Sequence, residues 1–300
     1  MTPSIAWMIP DLDLKNPSIR IRRYNVHLKL VSTGITSVVK SDYYTTPLYQ
    51  LVGELMPFDI IIFTQIAQMD SVLMKLLKDI GKKIVFDHCE ALFNIGAEDA
   101  CMKTADKITC CSTHLAELTN SNGYANTVVL KDPLEEITVE HKYEAIGRRL
   151  RAGFLGMGGN SYLVDNLRDV IEKADYDLIT ITEWENATIK WTLENWHNAL
   201  NTCDVALCPQ TFAAKSNIKV TTAMALGFPV LASSIKAYQE VIRQDFNGYL
   251  CWKNEDWYEC LVLLKDENKR RSIGEEAKKS VKEYALDFIA NQWLEMFNSF

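Results

Sequence analysis

Long apolar runs, a cationic N-terminal stretch, paired cysteine motifs and an excess of positive charge are all missing from this 300-residue chain. No run approaches the ~20 apolar residues of a membrane-spanning helix, so no membrane span is expected. The opening MTPSIAWMIPDLDLK has no cationic region, and Pro10 and Asp11 interrupt its apolar run. That argues against a secretory signal and for a soluble, cytoplasmic protein. A formal net charge of −7 argues against a whole-surface electrostatic grip on nucleic acid or anionic lipid. Two arginine clusters, Arg20, Arg22 and Arg23, and Arg148, Arg149 and Arg151, read as solvated faces. The eight cysteines, Cys89, Cys101, Cys110, Cys111, Cys203, Cys208, Cys251 and Cys260, form no CxxC pair and have no zinc spacing. They read as reduced core thiols.

What is present points to α/β architecture. With 48% apolar residues the chain can bury a large core, and its length suits two domains of ordinary size. Short apolar runs alternate with longer amphipathic stretches, the pattern of parallel sheets flanked by helices. Strands are expected near residues 5–9, 36–39, 59–63, 83–86, 107–110 and 127–130, and again near 152–155, 177–180, 205–208, 230–232 and 249–251. Helices are expected between them, for example over 21–32, 71–80 and 113–120, and a last long one over 275–300. The polar stretch 135–149 after Lys131-Asp132-Pro133 breaks the alternation. This divides the chain into a first domain over 1–135, a linker over 136–150, a second domain over 151–275 and a terminal helix over 276–300.

Residues 215–230, KSNIKVTTAMALGFPV, read as an anion site. Ser216 suits an N-cap, residues 217–226 favour helix, and Gly227 suits a stop before an apolar strand entered through Pro229. Lys219 then falls near the third position of the helix. A cation at that positive end costs roughly 0.3–1 kcal/mol, a cost that a bound phosphate reverses. Lys215 adds a second ammonium group, and Asn217 a further polar group. The plainer alternative is a surface helix with solvated lysines.

The loop Gly156-Met157-Gly158-Gly159-Asn160-Ser161 directly follows an expected strand and opens a helix. Gly156, Gly158, Gly159 and Asn160 are placed to let backbone N–H groups approach an oxyanion. The loop has neither the Gly-Lys-Ser/Thr ending of a Walker loop nor a full GxGxxG fingerprint, and a tight turn that binds nothing is the alternative.

The succession of Lys219, the AMALGFPV turn, Ala237-Tyr238 with Glu240-Val241-Ile242, Asn247-Gly248 and a helix with Trp257 resembles the C-terminal half of GT-B glycosyltransferases of the retaining, family 4 type. The resemblance covers residues 151 to about 293 and is faint over the N-terminal half. It implies two Rossmann-like domains facing across a cleft, with the last helix crossing back to the first domain. It further implies transfer of a sugar from a nucleotide diphosphate sugar, with a UDP-sugar expected first, to an acceptor hydroxyl with retention and without a metal or other cofactor. No Asp-x-Asp metal motif stands in a suitable place. The acceptor is left open among glycan, lipid-linked glycan, protein and modified nucleic acid.

The same resemblance assigns roles. Lys219 contacts the diphosphate and offsets charge on the leaving group; Lys215 is a second contact or a rim lysine. His88, past the strand at 83–86, is placed near the sugar, or else it and Asp87 are structural. Glu90 is a further polar candidate. Arg20 or Arg22, after the first strand, reaches a phosphate or an anionic acceptor, with only one expected to face inward. Glu183 and Trp184 lie where the nucleotide base is held, with Trp184 stacking on it, while Trp191 and Trp196 are packing residues by default. Tyr238 and Glu240 bind sugar or ribose hydroxyls, unless Glu240 merely caps a helix. In one respect the chain departs from the pattern. Many relatives carry two glutamates where Ala214 and Thr222 stand here, although some use a Lys-Ser-Asn-x-Lys form like this one. The loss motivates a rival reading as a catalytically inactive nucleotide-sugar-binding or scaffold protein of the same fold. Epimerisation or phosphorolysis on that fold ranks last.

Overall fold

The computed structural model describes residues 2–64, 69–91, 93, 96–136 and 139–300. It forms two compact units, one of Met1–Pro133, Ala214–Ser216 and Tyr284–Phe300, the other of Leu134–Ala213 and Asn217–Glu283. Each is built on a six-stranded parallel sheet with helices.

In the first unit the strands are β1 (Ile5–Met8), β2 (Ser37–Lys40), β3 (Ile60–Thr64), β4 (Lys83–His88), β5 (Lys107–Cys110) and β6 (Thr127–Val129), ordered β2-β1-β3-β4-β5-β6. Because helices cover both faces, β1 and β3 are buried along their whole length and, apart from Thr64, apolar. Alternate side chains feed two cores. Ala6, Met8, Ile61, Phe63, Ile84 and Phe86 pack on one face, and Ile5, Trp7, Ile60, Ile62 and Val85 on the other. The second face is closed by the helix Leu286–Asn298, whose Trp293 ring lies 5.0 Å from that of Trp7.

In the second unit the strands are β7 (Leu150–Leu155), β8 (Tyr176–Thr182), β9 (Ile189–Lys190), β10 (Val205–Cys208), β11 (Val230–Ser233) and β12 (Tyr249–Cys251), ordered β12-β11-β10-β7-β8-β9. From β7 the chain builds outward through β8 and β9, then returns to the other side of β7 and builds through β10, β11 and β12. The reversal falls between β7 and β10, the position where doubly wound sheets hold ligands at the carboxyl ends of their strands.

All eleven expected strands form, with ends displaced by up to two residues. The additional β9 is two residues long and half polar, too short for a periodic signal. The helical pattern over 275–300 is not one helix. It is interrupted between Glu267–Ser280 and Leu286–Asn298, where Tyr284 is buried and Ala285 takes extended backbone before the last helix starts. The first helix is likewise irregular: Pro17–Ile19 leads into a π-helical turn, Arg20–Asn25, before Val26–Ser32. The eight cysteines are all free and, apart from the partly exposed Cys89, buried. No helix among the described residues is long and apolar enough to cross a membrane.

Candidate functional site

The two loops flanking the β7/β10 reversal carry the second unit's most distinctive geometry. The chain leaves β7 at Leu155, and Gly156 donates its N–H to Ile181 O at 3.2 Å. Gly158–Asn160 then form a 3-10 turn, and Asn160 N–H closes back on Met157 O at 2.9 Å. From the other loop rises the helix Ile218–Leu226, ended by Gly227 in the left-handed region at φ 92°. Its Lys219 side chain reaches across to the glycine turn. A Cβ on Gly156 would stand 2.7 Å from Lys219 Nζ and 2.9 Å from Phe154 Cζ, so the ammonium occupies the space a side chain would need. The same Nζ lies 5.3 Å from the centroid of the buried Phe154 ring, within cation–π range. Burial pushes the Cys208 thiol, at the end of β10, up to about 12 against the opposing pull of Lys219. An ammonium group, a helix N-terminus and a glycine turn thus converge within one unit, at the ends of adjacent strands.

The helix starts one residue later than the sequence implies. Asn217, not Ser216, is its N-cap, and Lys219 is the second helical residue. The Ser216 hydroxyl donates to Asp132 Oδ2. The three residues preceding Asn217 belong to the first unit. Ala214 is packed in that unit's core, Lys215 Nζ donates to Glu90 Oε1 at 2.7 Å, and Ser216 holds Asp132. A carboxylate at position 214 would sit among Ala214's apolar neighbours. Thr222 lies within the helix and is half-buried.

In the first unit Arg20, Arg22 and Arg23 do not form a solvated face; all three are buried. The π-helical turn lets two consecutive arginines share one partner. Arg22 Nε donates to Asp87 Oδ1 at 2.8 Å and Arg23 Nε to Asp87 Oδ2 at 2.9 Å, while Thr109 Oγ1 donates to Oδ1 at 2.7 Å. Against the cost of burial, the two guanidinium groups and Thr109 hold the Asp87 carboxyl down at about 2. Arg22 Nη1 also donates to Asp132 Oδ1 at 2.9 Å and to Leu130 O. Arg20 points elsewhere, donating to Leu14 O at 2.6 Å and Lys15 O at 3.3 Å, and so secures the loop after β1. Strand β4 continues through His88, whose imidazole is buried beside Phe86 and Phe93, with Nδ1 3.1 Å from Glu98 Oε1.

The remaining expected site residues all fall in the second unit. Glu183 and Trp184 follow β8 and are exposed, with the Trp184 N–H held by Thr182 Oγ1 at 3.2 Å. Trp196 is buried with its ring 3.5 Å from that of His197. Tyr238 is buried; burial raises its hydroxyl pKa, and the hydroxyl pairs with Gln210. Glu240 is exposed at the C-cap of the helix Lys236–Gln239. Asp132, Thr109, Glu98 and Gln210 were not anticipated. Asp132 had one legible sign, a carboxylate directly beyond an apolar strand, but the following proline gives the segment the look of a turn. No group of three or more His, Cys, Asp or Glu side chains suited to a metal occurs among the described residues.

Residues 182–280 match the family described as glycosyl transferases group 1. The chain is similar in fold to HepE of Anabaena, solved in complex with UDP and glucose (TM-score 0.76, 13% identity, 99% of this chain and 100% of that one). It is also similar to the lipopolysaccharide outer core galactosyltransferase WaaB (0.74, 14%, 99% and 100%) and to a glycosyltransferase from Rickettsia africae (0.68, 12%, 99% and 98%). The fold is that of the GT-B glycosyltransferases. No curated protein matches the sequence.

Proposed function

We propose that the protein is a glycosyltransferase that takes a sugar from a UDP-sugar and transfers it, with retention, to an acceptor hydroxyl. One observation carries the reading: the Lys219 ammonium lies over a glycine turn at the sheet's reversal point, with Gly156 leaving no side chain in its place. A diphosphate there would meet the ammonium, the positive end of the helix beginning at Ile218, and the backbone of the glycine turn. As the bond from the anomeric carbon to the β-phosphate oxygen breaks, negative charge grows on that oxygen. Lys219 is fixed in advance to stabilise it. The acceptor oxygen bonds to the anomeric carbon on the same face, and its proton passes to the departing phosphate. In this scheme Lys219 and the helix terminus supply the positive charge, and no divalent cation takes part. Trp184, exposed after β8, is assigned to the uracil ring, and Tyr238 and Glu240 to the region of the sugar and ribose. The acceptor class extends to glycans, lipid-linked glycans, proteins and modified nucleic acid. HepE was solved with UDP and with UDP-glucose, which supports the choice of base.

Ala214 favours a second reading, a donor-binding protein without transfer activity, since an apolar contact replaces the carboxylate found in many relatives. Thermal unfolding against UDP-, GDP-, ADP- and TDP-sugars separates the cases when followed by product analysis with labelled donor. A donor at 100 times its Kd should stabilise the fold by about 2.7 kcal/mol. Stabilisation by UDP-sugars with transfer or slow hydrolysis supports the first reading. Stabilisation with the donor recovered intact supports the second, and no stabilisation by any of the four rejects both.

A further inference from the structure

The first unit has a reversal point of its own. From β1 the chain crosses to the edge strand β2 and then returns to the other side of β1 to form β3. β1 and β3 therefore flank the position where a doubly wound sheet holds its ligand. Beyond β2 the chain passes through Asp42, which lies in the left-handed region at φ 52°. Its N–H donates to Pro10 O, just past β1, at 3.2 Å. The 3-10 turn Tyr43–Thr45 follows. Tyr43 is buried, and its hydroxyl donates to Asp70 Oδ1, beyond β3, at 2.9 Å. Its neighbour Tyr44 is 42% exposed, with its ring stacked on that of Tyr43 at 5.2 Å and an interplanar angle of 30°. The loops after three neighbouring strands are thus tied together around one exposed ring that a buried ring supports. Carboxylates stand close to it. Asp11 and Asp42 are both exposed, and burial, then the charges of Asp11, Asp42 and Asp70, raise the pKa of the Tyr44 hydroxyl.

We infer that this surface is a saccharide subsite, in which the Tyr44 ring takes the C–H face of an uncharged sugar and Asp11 and Asp42 accept hydrogen bonds from its hydroxyls. The face of an aromatic ring is negative and attracts polarised C–H groups, while carboxylates at its edge only accept. A hydroxyl-rich ring without charge satisfies both. A phosphate or an acidic glycan would meet the same carboxylates as like charges, so the subsite selects against lipid phosphates and nucleic acid. The inference rests on the transferase reading above and narrows its acceptor to a neutral glycan. Arg20 and Arg22, the groups expected to hold an anionic acceptor, are buried on partners of their own.

The test is binding of the full chain, with UDP present, to arrayed uncharged gluco-, galacto- and manno-oligosaccharides. Sulfated and uronate-bearing oligosaccharides, single-stranded RNA and phosphatidylglycerol vesicles are measured beside them, and UDP affinity is followed by titration calorimetry. The parent should retain uncharged oligosaccharides. Tyr44→Phe, which keeps the ring, should bind like the parent, and Tyr44→Ala should bind about tenfold more weakly with UDP affinity unchanged. Asparagine tolerates the left-handed backbone at position 42, so Asp11→Asn/Asp42→Asn should fold. It should lose about tenfold on uncharged oligosaccharides and discriminate less against the uronate-bearing ones. Preference for RNA, vesicles or acidic oligosaccharides overturns the inference, as does parental binding in Tyr44→Ala. So does a chain that binds UDP and no oligosaccharide, and in these cases the donor reading stands. Tyr44-dependent oligosaccharide binding without UDP affinity supports the subsite and removes the transferase reading, and binding of neither ligand rejects both.

Discussion

Lys219 Nζ stands 2.7 Å from the point that a Cβ on Gly156 would occupy, joining the turn after β7 to the helix after β10. The contact explains why the turn begins with glycine. Gly156→Ala forces the ammonium out, because the alternative contact, Phe154 Cζ at 2.9 Å, belongs to a fully buried ring. The lysine end is flexible and moves first, but the buried Phe154 ring must also yield, so the melting temperature should fall and UDP affinity should drop about tenfold, equivalent to about 1.4 kcal/mol. Titration calorimetry with a parallel melting curve checks both halves of the statement.

The far end of the same helix is fastened by a different contact. Gly227 ends it, Tyr143 Oη donates to Gly227 O at 2.8 Å, and a Cβ on Gly274 would lie 2.1 Å from that carbonyl and 2.5 Å from the Tyr143 hydroxyl. The obstacle is backbone, which cannot swing aside. Gly274→Ala should therefore destabilise by about 3 kcal/mol, at the upper end of overpacking costs, and chemical denaturation will show it as a lowered midpoint with unchanged slope.

Asp87 is a buried carboxylate between two buried guanidinium groups. Asp87→Asn leaves both cations under-compensated and should cost about 3–5 kcal/mol. The acid side of the stability curve follows from the same pair. The carboxyl is held at about 2 in the fold against an ordinary 3.8, so its contribution is intact above 3.8 and is lost as pH falls through 2. Equilibrium unfolding of the variant and the parent at neutral pH measures the difference.

His141 gives a pH dependence of its own in a higher range. Burial lowers its pKa from 6.5 to about 4, with the ring 3.9 Å from Phe228 and Nδ1 3.3 Å from Asn201 Oδ1. The unfolded chain binds the proton first. Stability should be flat above pH 6.5 and decline toward pH 4, by roughly 2–3 kcal/mol in total. His141→Phe should remove most of that slope, read from denaturation midpoints across the range.

Much of the fold was legible because parallel strands covered on both faces are continuous apolar runs. Val205-Ala206-Leu207-Cys208 and Ile60-Ile61-Ile62-Phe63 could hardly be anything else. Lys219 and Gly156 were legible as well, since a lysine in the first turn of a helix and a glycine just past a strand are both costly without a reason. The first unit was harder to read. Arg20, Arg22 and Arg23 look solvated because a π-helical turn has no sequence period, and only that turn lets neighbouring arginines share Asp87. Ser216 carries the composition of an N-cap, but its partner, Asp132, is 84 residues away in sequence. Local propensity cannot see such a distant partner, and the helix starts one residue later than its local signals imply, with Asn217 as N-cap.

The central claim is that the Lys219 ammonium holds a nucleotide diphosphate, and the most direct test is UDP affinity of Lys219→Ala against the parent by titration calorimetry. Loss of a charge-assisted contact at this position should weaken binding by about 1.5–3 kcal/mol, or more than tenfold, while the melting temperature without ligand stays close to that of the parent. Equal UDP affinity in the two proteins would contradict the account.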